Sequence, residues 1–156
     1  MRSDIKVWIF IWQKRSHWIN ERSKGTKNMS MLVTTGASMS CTFGAGTAAF
    51  QATTNPMLLC GGKVVGSIQD AAAGVNIPSF GMCTTLSNPA VAAATAAALG
   101  VLTPAPCTPI PTSWIPSQLT VLSGGKPCLT QDCQCTCSYG GTIAFTSPGQ
   151  TNVIVK

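Results

Sequence analysis

The chain has 156 residues, enough for one domain with a core of its own, and only 9% of them are charged. The formal net charge of +6 is concentrated at one end: residues 1–28 hold seven of the ten lysines and arginines against Asp4 and Glu21, whereas residues 29–156 net only +1. Beyond residue 28 there is no histidine and the carboxylates are Asp70 and Asp132, which leaves little for general acid–base catalysis and disfavours the basic, aromatic groove of a nucleic-acid binder.

Residues 1–28 read as a basic leader rather than as part of the domain. They carry Trp8, Trp12, Trp18 and the only histidine, His17. The apolar run from Ile5 to Trp12 is too short to span a bilayer, and no small-residue cleavage motif follows it. The expectation is a domain that starts at Met31 and runs to Lys156. An interfacial amphipathic segment and a helical docking tail are the alternatives for the leader.

From Met31 the chain is punctuated every few residues by turn formers. Leu32-Val33-Thr34-Thr35 leads to Gly36, and Ala37 to Phe43 alternates as a strand does before Gly44 and Gly46 turn the chain. Met57 to Cys60, then Gly61-Gly62, then Lys63 to Val65 is the pattern of a tight hairpin. Gly66, Gly74, Asn76, Pro78 and Gly81 allow only brief elements up to Cys83.

Asn88-Pro89 followed by an alanine-rich body and Gly100 predicts one short helix, with Asn as cap, Pro at its first position and Gly as stop. A low-complexity loop is the alternative. Pro104, Pro106, Pro109, Pro111 and Pro116 predict an extended or polyproline-like connector. Within it, Trp114 reads either as cover for a core edge or as a partner-facing anchor. Leu119–Leu122 and Lys126–Thr130 around Gly124-Gly125 predict a second hairpin, and Thr142–Phe145 with Thr151–Val155 a third. The class is therefore mainly β, small twisted sheets of short hairpins with one short Ala-rich helix.

Eight cysteines lie in this stretch: Cys41, Cys60, Cys83, Cys107, Cys128, Cys133, Cys135 and Cys137. No Cys-x-x-Cys knuckle is present. Cys133, Cys135 and Cys137 have period two, which in a strand puts them on one face about 7 Å apart, too far for neighbouring ligands of one tetrahedral metal. Buried reduced thiols acting as small apolar side chains and a disulfide framework are the competing accounts; the missing export signal favours a reducing compartment during assembly. A phosphate-binding loop, a dinucleotide fingerprint, a zinc-protease motif and a Ser-His-Asp set are all missing, so the chain is expected not to be an enzyme.

An ordered series of fragments resembles the PAAR-like family of spike-tip proteins from contractile injection systems, over residues 31–156. The fragments are Gly36-Ala37-x-Met39-x-Cys41-Thr42-Phe43-Gly44, Asn76 to Cys83, Asn88-Pro89, Pro106-Cys107-Thr108-Pro109 with Trp114, and Cys137 to Ile143 with Gly149-Gln150. The resemblance implies a small conical domain seated as one copy on a trimeric spike of a type VI secretion system or phage-tail-like particle. It further implies a role in membrane puncture and effector delivery, with the protein cytoplasmic during assembly and leaving with the particle. A metal-binding adaptor that recruits an effector is the alternative. Internal pseudo-threefold packing is also implied, although three repeats are not evident in the sequence. Ordinary members brace the tip with a metal held largely by histidines, which residues 31–156 lack. Cys41, Cys83, Cys107 and Cys137, each inside a matching fragment, are the set expected to converge, as four thiolates on one structural zinc or iron or as a reduced cluster.

Overall fold

A computed structural model describes residues 29–156; the expectations for the leader lie outside the described residues. The chain forms β1 (Ser30–Met31), β2 (Ser38–Cys41), β3 (Thr47–Ala49), β4 (Leu59–Cys60), β5 (Lys63–Val64), β6 (Met82–Cys83), α1 (Pro89–Ala97), β7 (Ala105–Pro106), β8 (Pro111–Ile115), β9 (Leu122–Ser123), β10 (Lys126–Pro127), β11 (Gln134–Cys137), β12 (Thr142–Ser147) and β13 (Ile154–Val155). It is a small, mainly β domain with one short helix, as the turn-rich sequence predicts.

One antiparallel five-stranded sheet, ordered β3-β2-β12-β11-β8, carries the main core. Alternation along the strands sends Met39, Ala48, Trp114, Cys135, Cys137, Ile143 and Phe145 inward. The register sets Ile143 and Trp114 on either side of Cys135, and Met39 beside Phe145. Three aromatics close this core. Trp114 stacks on Phe145 at 4.8 Å and 14°, and Phe50 meets Phe145 edge-on at 5.4 Å. Such pairs add about 0.5–1.5 kcal/mol each beyond the area they bury.

The two Gly-Gly sites are hairpin turns. Gly61 and Gly62 (φ 58° and 77°) join β4 to β5, and Gly124 and Gly125 (φ 57° and 78°) join β9 to β10. Positive φ at both central residues is the requirement of a type I′ turn, which matches the twist of the flanking strands.

Two expectations are corrected by the fold. The proline-rich connector is extended, but β7 and β8 within it are paired strands, and β8 forms one edge of the main sheet. Proline is tolerated there because an edge strand leaves one row of backbone groups unpaired. Thr142–Phe145 and Thr151–Val155 do not pair with each other. Instead β12 sits between β2 and β11, and β13 pairs with β1 from the opposite end of the described chain. The helix is framed as expected: Asn88 caps α1 by accepting from the Ala90 N–H at 3.0 Å, Pro89 opens it, and the chain turns left-handed at Leu99 (φ 54°) and the stop residue Gly100 (φ 88°). The amide of Leu99 bonds Ala96 O and that of Gly100 bonds Thr95 O, the Schellman pattern with leucine where glycine is usual.

Candidate functional site

Three short segments meet head to tail in a ring of backbone hydrogen bonds. The Val33 N–H donates to Leu129 O (2.9 Å), the Leu129 N–H to Gly66 O (2.8 Å) and the Gly66 N–H to Val33 O (2.9 Å). Two residues on, the pattern repeats: the amides of Thr35, Ile68 and Gln131 donate to the carbonyls of Val64, Pro127 and Met31. The bridges Thr34↔Val65, Ser67↔Cys128 and Leu32↔Thr130 complete it. Positions 33, 66 and 129 are therefore related by a pseudo-threefold axis.

The symmetry extends outward into three two-stranded ribbons. β4-β5 and β9-β10 are the Gly-Gly hairpins, and β13-β1 takes the third place without a turn. In each, the residue before the ring donates back to the ribbon: Val65 to Leu58 O, Cys128 to Val121 O and Leu32 to Val153 O. Burial follows the same triplets. Leu32, Val65 and Cys128 are buried together with Cys60 and Val155 in a second, smaller apolar cluster. Gly66 breaks the side-chain equivalence for a steric reason: a Cβ there would lie 2.6 Å from the Phe50 ring, which fills the space that Val33 and Leu129 fill for themselves.

Against this buried layer the ribbons expose one large aliphatic each, at the equivalent positions Leu59 (55%), Leu122 (55%) and Ile154 (49%). An exposed apolar side chain is ordinary when it stands alone. Here three stand at symmetry-related positions, one on each ribbon. All three lysines of residues 29–156 belong to these ribbons: Lys63 and Lys126 follow the Gly-Gly turns, and Lys156 follows β13. Lys63 Nζ donates to Gly149 O at 2.9 Å.

Above the ring, Asp70 locks the sheet onto this base. Its buried carboxylate accepts from the backbone amides of Thr53, Thr54 and Ser67 at 2.8–2.9 Å and from the hydroxyl of Thr54 at 2.7 Å. Its main-chain carbonyl accepts the Trp114 indole N–H at 2.9 Å. Burial pushes the carboxyl upward, but these hydrogen bonds to the charged form outweigh it and hold Asp70 below the usual carboxylate value. Trp114 is thus a core residue with its polar handle satisfied, not a partner-facing anchor.

The four cysteines singled out in the sequence lie past the ring in β2, β6, β11 and the loop after β7. Cys41 and Cys137 each stand eight residues beyond a ring position, Val33 and Leu129 respectively. The amide of Cys107 donates to Gly81 O, and Cys83 bridges Gly44, whose own amide bonds Cys41 O. Burial raises the Cys107 thiol, the Phe80 backbone opposes it, and the neighbouring Cys83, Cys41 and Cys137 raise it further. Gly141 makes room for Cys41, since a Cβ there would meet Cys41 Sγ at 2.7 Å. The donor chemistry suits zinc or iron. Among the described residues, no group of three or more His, Cys, Asp or Glu side chains is gathered as metal ligands would be.

Cys135 and Cys128 sit elsewhere in the core, and burial pushes both thiols up as well, which keeps them protonated and unreactive at neutral pH. Cys60 and Cys128 belong to the base cluster, whereas Cys133 and Cys135 lie in the main core. The aliphatic triad and the lysines were not singled out in the sequence. The signal that could have found two thirds of them is the repeat Leu59-Cys60-Gly61-Gly62-Lys63 and Leu122-Ser123-Gly124-Gly125-Lys126.

A family profile described as Domain of unknown function (DUF4280) matches residues 33–150. The chain belongs to that family. No curated protein and no solved structure matches it.

Proposed function

We propose that this member of the DUF4280 family is a PAAR-like spike-tip protein, whose pseudo-threefold base caps the end of a trimeric spike in a contractile injection system and which carries out no chemistry. The observation that supports this reading is the ring at Val33, Gly66 and Leu129 with its equivalent exposed residues Leu59, Leu122 and Ile154. A single chain can satisfy three identical subunits only by offering each of them nearly the same patch. Unpaired ribbon edges beside an apolar side chain are suited to continuing the strands of a partner. The far end, tied together by Asp70, the aromatic triad and the thiols, supplies the stiffness that a part driven through a membrane needs. In this role the protein assembles in the cytoplasm, leaves with the particle and serves as a seat for effectors.

The thiols act here as packed, protonated side chains. A full equivalent of zinc or iron, recovered from protein purified under reducing conditions and lost on chelation together with stability, would replace that reading with a cysteine-ligated brace. The function itself is tested by co-expression with the trimeric spike protein of its own gene cluster and native mass spectrometry of the complex. One chain per spike trimer is expected. A monomer that ignores the spike, or three chains per trimer, would contradict it.

A further inference from the structure

Among the described residues, the end of the domain opposite the base carries no charged side chain. Lys63, Lys126 and Lys156 lie on or next to the ribbons, Asp70 and Asp132 lie within four residues of the ring positions Gly66 and Leu129, and from Ala71 to Gly125 there is no charge at all. That stretch holds α1, which lies against β7; β7 pairs with β6, and Cys83 of β6 bridges Gly44, beyond the end of β2 that points away from the ring. The turn after α1 exposes Leu99, Val101 and Leu102, and every exposed side chain of α1 after Pro89 is alanine. Leu99 is 96% exposed in a left-handed conformation that glycine would adopt without strain, so the fold bears a local cost to hold an aliphatic side chain in solvent. The turn also answers most of its own backbone. The amides of Leu99, Gly100 and Val101 donate to Ala96 O, Thr95 O and Ala98 O at 3.2, 2.9 and 3.1 Å, the Thr103 N–H donates to Thr95 Oγ1 at 3.1 Å, and the Thr103 hydroxyl donates to Val101 O at 2.9 Å.

We infer that this turn is a lipid-contacting loop, with Leu99, Val101 and Leu102 entering the boundary between the headgroups and acyl chains of a bilayer. Hydrocarbon penalises charge and unpaired backbone, and the turn is free of the first and has little of the second. A protein partner makes no such demand, because amides at a protein interface pair with the partner or with trapped water. Among the described residues no helix is long and apolar enough to cross a membrane, and α1 has nine residues, so the contact is interfacial. Binding of this kind scales with the apolar area buried and, without cations in the loop, gains nothing from anionic lipid. The inference concerns the end opposite the base and stands or falls independently of the capping function.

The test uses the full chain with an environment-sensitive fluorescent amino acid in place of Val101, mixed with vesicles of phosphatidylcholine, alone or with phosphatidylserine, at about 50 and about 500 mM salt. The account expects the emission to shift to the blue and to be quenched by acyl-brominated lipid, on both vesicle types and at both salt concentrations. L99D/L102D should weaken vesicle binding about tenfold or more, with the melting temperature unchanged because both side chains stand in solvent, and with spike capture at the wild-type level. Vesicle binding that needs phosphatidylserine, falls with salt and ignores L99D/L102D belongs to the basic residues 1–28 and rejects the loop. A probe at Val101 that no vesicle moves rejects it as well. Concentration-dependent self-association that L99D/L102D abolishes, without any effect of vesicles, assigns the turn to a second copy of the chain and overturns the inference. Loss of spike capture in that variant places the turn in the docking surface and overturns it too.

Discussion

Around the ring, positions 33, 66 and 129 repeat one another in hydrogen bonding, and the residues on either side repeat in burial. In the sheet above, from Ala48 across Met39 to Phe145 and from Ile143 across Cys135 to Trp114, neighbouring side chains differ in size and shape. The base keeps its backbone symmetric and its key side chains outside; the sheet keeps its side chains inside and has no use for symmetry. The two regions should therefore fail differently. Damage to the sheet should cost folding, and damage to the rim of the base should cost docking alone.

The largest effect belongs to the sheet. Trp114→Ala should destabilise the domain by about 3–5 kcal/mol, read by urea unfolding, because it removes a stacked ring and leaves Asp70 O without its indole donor. Asp70→Ala should be comparable, since three backbone amides lose their acceptor and a buried donor left orphaned costs about 1–3 kcal/mol. Leu59→Asp with Leu122→Asp should instead leave the unfolding midpoint within about 1 kcal/mol of wild type while spike capture is lost. If these base variants unfold, or if Trp114→Ala folds normally and fails only to dock, the division between the regions is wrong.

The pH dependence sharpens the same contrast. The folded-state pKa of Asp70 is depressed below its ordinary value, so its contribution is fully present above the unfolded value of about 4 and is lost as the pH falls through the folded value. Stability should be level from neutral pH down to about 5 and decline in stronger acid. Asp70→Asn, measured by the same urea titrations, should be weaker at pH 7 and show less of that decline. The smallest effect lies at the helix end. Leu99 holds a left-handed conformation while almost fully exposed, so Leu99→Gly should relieve strain and raise stability by about 1 kcal/mol. A melting temperature that drops in this variant would show that the leucine makes a contact worth more than its strain.

What could be read from the sequence was local. Gly61-Gly62 and Gly124-Gly125 announce their turns because only glycine enters two successive positive-φ residues at little cost. Asn88-Pro89 likewise announces a helix start. The pairing of β1 with β13 joins residues more than a hundred positions apart, and no local signal encodes it. Without that ribbon the third repeat is invisible, so the threefold base could not be assembled from two Leu-x-Gly-Gly-Lys hairpins alone. Asp70 was visible as a charge but not as a hub, because its partners at Thr53, Thr54 and Ser67 come from separate turns. The thiols stood out only through their sequence context, and no spacing between Cys41, Cys83, Cys107 and Cys137 fixes where strands from separate hairpins carry them.

The central claim, that one asymmetric chain presents three equivalent faces to three identical subunits, is tested most directly by site-specific photo-crosslinking. A photoreactive residue is placed singly at Leu59, Leu122 or Ile154 in otherwise native protein, irradiated on the assembled spike and mapped by mass spectrometry. The account predicts that all three positions label the same spike peptide, and that a chain carrying all three probes joins three spike subunits into one covalent product. Labelling of three unrelated peptides, or of a peptide from one position only, would contradict it.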